Sequence, residues 1–263
     1  MIKNIKLFVN GRDNSIECAK LVERKLRIND FNVVDDDYNL GIAIGGDGTF
    51  IKMVRDNNFN SDIYYVGINT GHLGFLQEVK IDELDKLIDE LKNNKYKVCN
   101  LGIQETNVKH LNGEDNFYSL NEIVIRDSDL KILKTNVFIN DDFLEEYTGD
   151  GLLIATSTGS TAYNLSCGGS IVPPEFSTLQ ITPMAPINSR VYRSMQNSII
   201  IPEKTKVKLS PNNKKVLVSI DGLNNVFEEV DTISTSIEDK KIKCLRFSHY
   251  NFPQKINEKL LKQ

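Results

Sequence analysis

Residues 45–49 read GGDGT, which places Asp47 between Gly46 and Gly48 with Thr49 two positions on. The run before it, LGIAI at 40–44, has the length and composition of a buried strand. After it, Phe50, Met53 and Val54 mark one face of a short helix that starts near Thr49. A strand, a glycine turn and a helix start together make phosphate-binding architecture. Gly45, Gly46 and Gly48 allow positive φ and let a ligand approach the backbone. The helix start offers free N–H groups, and the carboxyl end of a parallel strand is where open α/β sheets bind ligands. Neither GxxxxGK[ST] nor GxGxxG is present. The carboxylate is the informative departure. It repels a phosphate unless it accepts a proton from an attacking hydroxyl or meets Mg²⁺. The plainer reading of the same residues is a tight turn in which Asp47 bonds its own backbone.

Two further stretches carry polar chemistry. In SLNEIVIRD (119–127), Asn121 and Glu122 interrupt a strand pattern. Adjacent strand residues point to opposite faces, so one of the two faces the interior or a cleft. There it needs partners, which adenine or ribose edges could supply. An edge-strand pair facing water is the alternative. In GDGLLIATSTGSTAYNLSCGGSIVPP (149–174), hydroxyls of Thr156, Ser157, Thr158, Ser160 and Thr161 crowd around Gly159, and Ala162 and Tyr163 follow. Small residues with free backbone donors beside an aromatic suit a stacked, hydrogen-bonded nucleoside. A Ser/Thr-rich turn is the bland alternative. Ser160 lacks the GxSxG spacing of a hydrolase nucleophile. His72, His110 and His249 are scattered, and only His72 falls in a motif stretch. Cys167 reads as a small buried hydrophobe.

The elements that must position these residues change character along the chain. Over the first hundred residues, strand signals at 5–9, 31–34, 40–44 and 63–68 alternate with helical stripes. One stripe runs over 13–28, on Ile16, Ala19, Val22 and Leu26. The other lies in IDELDKLIDELKNN, on Leu84, Leu87, Ile88 and Leu91. Alternation of this kind implies a parallel sheet covered on both faces. Beyond about residue 97, β-rich segments between turns predict a sandwich-like all-β layer. The expected fold is an α/β, Rossmann-like domain at 1–97 followed by an all-β domain at 98–246. The end of the lysine-rich segment 247–263 is expected to be helical.

Composition narrows the class. A net charge of -4 leaves no electrostatic footprint for nucleic acid or an anionic membrane surface. No run has the length of a membrane span, and the start MIKNIKLFVNGRD is too polar for a signal peptide. Cys18, Cys99, Cys167 and Cys244 form no CxxC pair, which fits reduced thiols and a cytoplasmic protein.

In chain order, GGDGT (45–49), GINTGHLGFL (67–76), NE (121–122), DGLLIATSTGSTAYNLSCGG (150–169) and APINSR (185–190) resemble the NAD kinase family, bacterial type. GGDGT alone is shared with lipid kinases; the LGFL and TGSTAY stretches single out NAD kinase. The resemblance implies ATP-dependent phosphorylation of NAD at the 2′-hydroxyl of its adenosine ribose, with Mg²⁺ or another divalent cation accompanying ATP. It makes Asp47 the proton acceptor and lines the phosphate path with Gly45, Gly46, Gly48 and Thr49. It assigns NAD binding to Asn121, Glu122, Asp150, Thr158, Thr161, Ala162, Tyr163, Asn164, Leu165 and Ser166. Phe75 would wall the adenosine pocket, and Ala185 and Ile187 would approach the nicotinamide end. It also implies that the C-terminal tail packs back on the first domain and that the protein is a homo-oligomer, dimer or tetramer. Two positions near the dinucleotide depart from the family pattern. Thr148 stands where many members have a basic residue, and Leu223 follows the DG pair where relatives often have Gln or His. Two other readings stay open. A lipid kinase would want an amphipathic helix or a basic cluster, and neither is evident. A silent dinucleotide sensor would gain nothing from Asp47.

Overall fold

The computed structural model describes residues 2–71, 74–248 and 250–262, so His72, Leu73 and His249 lie outside the described residues. The chain forms two packed units, Met1–Asn100 with Lys241–Gln263, and Leu101–Lys240.

In the first unit the strands are β1 (Asn4–Val9), β2 (Asn32–Val33), β3 (Leu40–Gly45), β4 (Tyr64–Asn69) and β5 (Val79–Lys80). They form a parallel sheet in the order β2-β1-β3-β4, with β5 beside the end of β4. Every residue of β3 is buried, as expected of a strand covered on both faces. The covering helices are α1 (Asp13–Ile28), α2 (Asp47–Asp56) and α3 (Leu84–Lys92). Ile42, Ile44, Val66 and Ile68 share a core with α1 and α3. On the opposite face Gly41 leaves room for Met53 of α2, and the Phe50 ring is tilted against Tyr65 at 6.5 Å between centres. One buried face and one boundary differ from the sequence expectation. α1 buries Ser15, Cys18, Val22 and Leu26, while Ile16 is exposed; the Ser15 hydroxyl is anchored on the Thr70 hydroxyl at 2.8 Å, which turns the face by one residue. α2 begins at Asp47 rather than near Thr49, because the Gly46 carbonyl already accepts from the Thr49 and Phe50 amides.

The second unit carries β6 (Lys97–His110), β7 (Gly113–Ser119), β8 (Glu122–Asp127), β9 (Leu133–Ile139), β10 (Asp142–Gly149) and β11 (Gly151–Thr156). A 3₁₀ turn at Thr158–Thr161 and the short α4 (Tyr163–Ser166) follow. Then come β12 (Thr178–Met184), β13 (Ile199–Pro202), β14 (Val207–Pro211), β15 (Lys215–Ile220), β16 (Leu223–Glu228) and β17 (Val230–Arg246). One antiparallel sheet runs β13-β12-β11-β8-β15-β16. A second set runs β10-β9-β14-β17. Alternate residues Ile123, Ile125, Leu152, Ile154, Val216 and Val218 pack against Leu133, Val137, Tyr147, Val207 and Ile233 of the second set. This is sandwich packing, with strand periodicity dividing the faces. The chain leaves the unit through β17, whose Lys243 and Cys244 pair in parallel with Tyr64 and Tyr65 of β4. It ends in the helical segment α5 (Phe252–Ile256).

Candidate active site

In the first unit, β1 has β2 on one side and β3 on the other. The strand order therefore reverses between the carboxyl ends of β1 and β3, a topological switch point. The 45–49 loop leaves β3 at this point. Gly45 has φ +154°, and a Cβ there would lie 2.3 Å from the Thr49 hydroxyl and 2.6 Å from the Asn10 amide. Gly46 and Gly48 do not need positive φ, contrary to the sequence expectation. Gly46 is the extended cap of α2 and Gly48 lies inside that helix. What they supply is access: among the described residues nothing lies within 4 Å of where either Cβ would be. The Thr49 hydroxyl accepts from the Asn10 side chain at 3.4 Å.

Asp47 does not bond its own turn. Its Oδ2 accepts from the Phe75 amide at 2.9 Å and its Oδ1 from the Leu76 amide at 3.0 Å. The 74–76 backbone is pressed against it, since a Cβ on Gly74 would sit 1.8 Å from Oδ1. Phe75 thus reaches the site through its backbone, with its ring half-buried.

In the second unit, Glu122 and Asn121 are both buried. A residue missed from the sequence explains how they are held. Asp221, at φ +44°, accepts the Leu120 amide on Oδ2 at 2.7 Å and the Asn121 and Glu122 amides on Oδ1 at 2.8 and 3.1 Å. Its only sequence signal was the Asp-Gly pair after a strand. Glu122 Oε2 and Asn121 Oδ1 are buried with no hydrogen-bond partner among the described residues. Orphaned acceptors of this kind call for a ligand donor. Burial, and then the Asp221 charge, push the Glu122 carboxyl up to about 8.

Glu122, Val124 and Arg126 alternate onto one face of β8. Val124, Leu153, Ala155 and Met184 form a small apolar floor there, with Cys167 packed against it. The 157–169 segment is built onto the same sheet. Gly159 fits so closely that a Cβ would lie 2.1 Å from the Asn121 carbonyl. The Ser160 hydroxyl is fully buried and exchanges hydrogen bonds with the Val172 backbone at 3.0 Å. Thr158 is buried, while Thr161, Ala162 and Leu165 are half-buried and Ser166 is exposed. Asn164 is fully buried, and Thr182 donates to its Oδ1 at 2.6 Å while its Nδ2 donates to the Gln180 side chain. Its side chain holds the turn together, so only its backbone is left for a nucleotide. Tyr163 is exposed and its hydroxyl accepts from Arg126 at 2.7 Å. Arg126 was also missed, because a charged residue late in a strand pattern reads as solvated.

At the end of β12, Ala185 has φ +45°. The Ile187 amide donates to the Thr148 carbonyl at 2.8 Å, and the Asp150 amide to the Met184 carbonyl at 3.0 Å. Thr148, Asp150, Ala185 and Ile187 are therefore brought together. Thr148 is buried with Oγ1 unpartnered among the described residues. Leu223 is exposed and opens β16.

A carboxylate in a phosphate-type loop of the first unit is what a phosphotransferase needs, and the second unit by itself offers a polar, part-orphaned sheet face of the kind that binds a nucleotide. The family models for the ATP-NAD kinase N-terminal and C-terminal domains match residues 9–96 and 120–244. An NAD kinase of Finegoldia magna is 38% identical over 255 residues, covering 93% of each chain. NAD kinase 1 of Listeria monocytogenes is 34% identical over 236 residues, 88% of this chain and 89% of that one. The chain belongs to the NAD kinase family. The structure of yeast NADH kinase complexed with NADH shares the fold at TM-score 0.85 and 23% identity, covering 98% of this chain and 87% of that one. An Archaeoglobus fulgidus NAD kinase in complex with ATP gives TM-score 0.76 at 18% identity, covering 98% and 99%.

Proposed function

We infer that the protein phosphorylates NAD at the 2′-hydroxyl of its adenosine ribose, with ATP as donor, giving NADP. The observation that carries this reading is Asp47. It stands at a switch point beside two open glycines, with each oxygen fixed by one backbone amide and lone pairs left to receive a proton. The 2′-oxygen attacks the γ-phosphorus, the bond to the β–γ bridging oxygen breaks, and ADP leaves. The hydroxyl proton passes to Asp47. In a loose transition state that proton moves late, so the base need not be strong; positioning and charge neutralisation dominate.

The remaining roles follow from chemistry. The α2 amides and Gly45, Gly46, Gly48 and Thr49 would receive donor phosphates. Asn121 and Glu122, each with a buried unpartnered oxygen, would hydrogen-bond polar groups of the nucleoside. Thr158, Thr161, Ala162 and Tyr163 would flank it, and Asp150, Ala185 and Ile187 would serve the other end. Among the described residues no group of three or more His, Cys, Asp or Glu could hold a metal ion. By the family resemblance, a divalent cation would come as part of the substrate, carried on the donor phosphates and shielding them from Asp47. Among the described residues no helix is long and apolar enough to cross a membrane. The free cysteines support a reduced, cytoplasmic setting. A homo-oligomer rests on the family resemblance and is checked by light scattering.

The test is purified protein with NAD, Mg²⁺ and either ATP or polyphosphate, coupled to an NADP-specific dehydrogenase. NADP formation is expected. Phosphorylation of diacylglycerol or sphingosine vesicles in its place would overturn the reading, as would tight NADP binding without turnover on either donor.

A further inference from the structure

The C-terminal segment places a buried lysine behind the loop that holds Asp47. Lys255, on α5, is 7% exposed. Its ammonium donates to the Gln77 carbonyl at 2.6 Å and to the Phe75 carbonyl at 3.4 Å. Phe75 and Leu76 send their amides the other way, onto Asp47. The 75–77 backbone therefore lies between a carboxylate and an ammonium, with its donors facing the first and its acceptors the second.

Ion pairing does not account for Lys255. Glu78 Oε2 takes Arg246 at 2.8 Å and Lys255 only at 3.5 Å, and its Oε1 accepts from the Phe247 amide at 3.0 Å. A second buried cation beside that pair is costly. Burial, then the Arg246 charge, pull the Lys255 ammonium down to about 8, while Glu78 and Asp47 act the other way. A methionine would pack in the same place without that cost. What an ammonium adds is a charge-assisted hold on two carbonyls, stronger than a neutral hydrogen bond. Lys259 of the same segment lies 5.9 Å from the centre of the Phe75 ring.

We propose that Lys255 is a positioning residue for the reaction: it clamps the Phe75 and Gln77 carbonyls so that the Phe75 and Leu76 amides stay aimed at Asp47. Lys255 touches no reacting atom and acts through the loop. The inference rests on the NAD-phosphorylating reading for its kinetic consequence, but the clamp itself can be read without turnover.

The experiment compares Lys255→Met and Lys255→Arg with wild type, alone and in an Asp47→Asn background. In Lys255→Met, kcat is expected to fall about tenfold with KM for NAD within about twofold, the mark of an interaction used in the transition state. Lys255→Arg, which keeps charge and donors, is expected to recover most of the loss. In Asp47→Asn the Lys255→Met change should cost less than about twofold more, because effects through one group do not add. Amide hydrogen exchange at Phe75 and Leu76 is expected to speed up about tenfold in Lys255→Met while Ile42 and Ile44 keep their protection. If Lys255→Met fails to fold, Lys255→Gln, with a shorter neutral donor, gives the same comparison. Unchanged exchange at Phe75 and Leu76 would overturn the proposal, as would a kcat loss that persists undiminished in Asp47→Asn. Absence of wild-type NADP formation would overturn the functional reading instead, leaving the exchange result to decide the clamp.

Discussion

A carboxylate fixed by one amide on each oxygen is held in place with lone pairs left over on both. Asp47→Asn keeps the size but removes the proton acceptor, and its new NH₂ faces one of the Phe75 and Leu76 amides. kcat is expected to fall by about 10²-fold or more, with NAD binding retained, in coupled assay and calorimetry. Near-normal turnover would exclude Asp47 as the base. Glu122 gives the pH test. Its folded pKa is raised from the usual carboxylate value to about 8 by burial and by Asp221. The folded state therefore binds the proton more tightly than the unfolded one. Its contribution to stability is full below about pH 4.5 and is lost as pH rises through about 8. Glu122→Gln, which cannot ionise, is expected to flatten that fall in urea unfolding of the ligand-free protein between pH 5 and 9. A wild-type stability that does not decline over that range relative to the variant would contradict the assignment. Glu122→Ala is expected to weaken use of NAD by about 1–3 kcal/mol, read from kcat/KM, through lost or unpaired hydrogen bonds.

At the scale of elements, α2 breaks a local rule at Gly48. Glycine inside a helix costs about 0.5–1 kcal/mol relative to alanine. Gly48 lies in the first turn of α2 with nothing within 4 Å of its Cβ position among the described residues. Gly48→Ala is expected to raise the melting temperature slightly while raising KM for ATP, because the methyl occupies the approach to the loop. A stabler variant with unchanged KM for ATP would remove Gly48 from the phosphate path. Much of this element was legible in the sequence. The 40–44 apolar run, the glycines and the Phe50, Met53, Val54 stripe are local signals, and they gave a strand, a turn and a helix in the right order. What was not legible is who holds whom. The amides on Asp47 come from residues 28 and 29 positions away, and Asp221 reaches the Asn121 amide across 100. Backbone donors carry no residue-type signature, so no pattern could announce them. Asn164 shows the reverse: a polar residue in the right motif, fully committed to Thr182 and Gln180 inside the fold.

For the whole molecule, the closure of the first unit by the chain's own end had no local signal at all. The tail's return was expected from the resemblance alone, since SHYNFPQKINEKLLKQ reads as a short helix that could pack anywhere. The structure closes it through Arg246 and Glu78, 168 residues apart, 2.8 Å from each other and with side chains only 7% and 0% exposed. Such a pair is worth little as a net gain, because desolvating two charges offsets most of their attraction. Its effect lies in what happens when one partner goes. Arg246→Met leaves the Glu78 carboxylate buried with the Phe247 amide and a Lys255 ammonium at 3.5 Å. The expected loss is about 3–5 kcal/mol, toward the lower end if Lys255 moves in. Glu78→Gln with Arg246→Met removes the buried carboxylate that has lost its Arg246 partner and is expected to recover most of it. Urea unfolding of the single and double variants, followed by hydrogen exchange in β3 and β4 so that the first unit is read separately from the second, measures both. A loss below about 1 kcal/mol in Arg246→Met, or a double variant no stabler than the single, would show that the chain end is held by apolar packing of residues such as Leu245 and Phe247 and not by the ion pair.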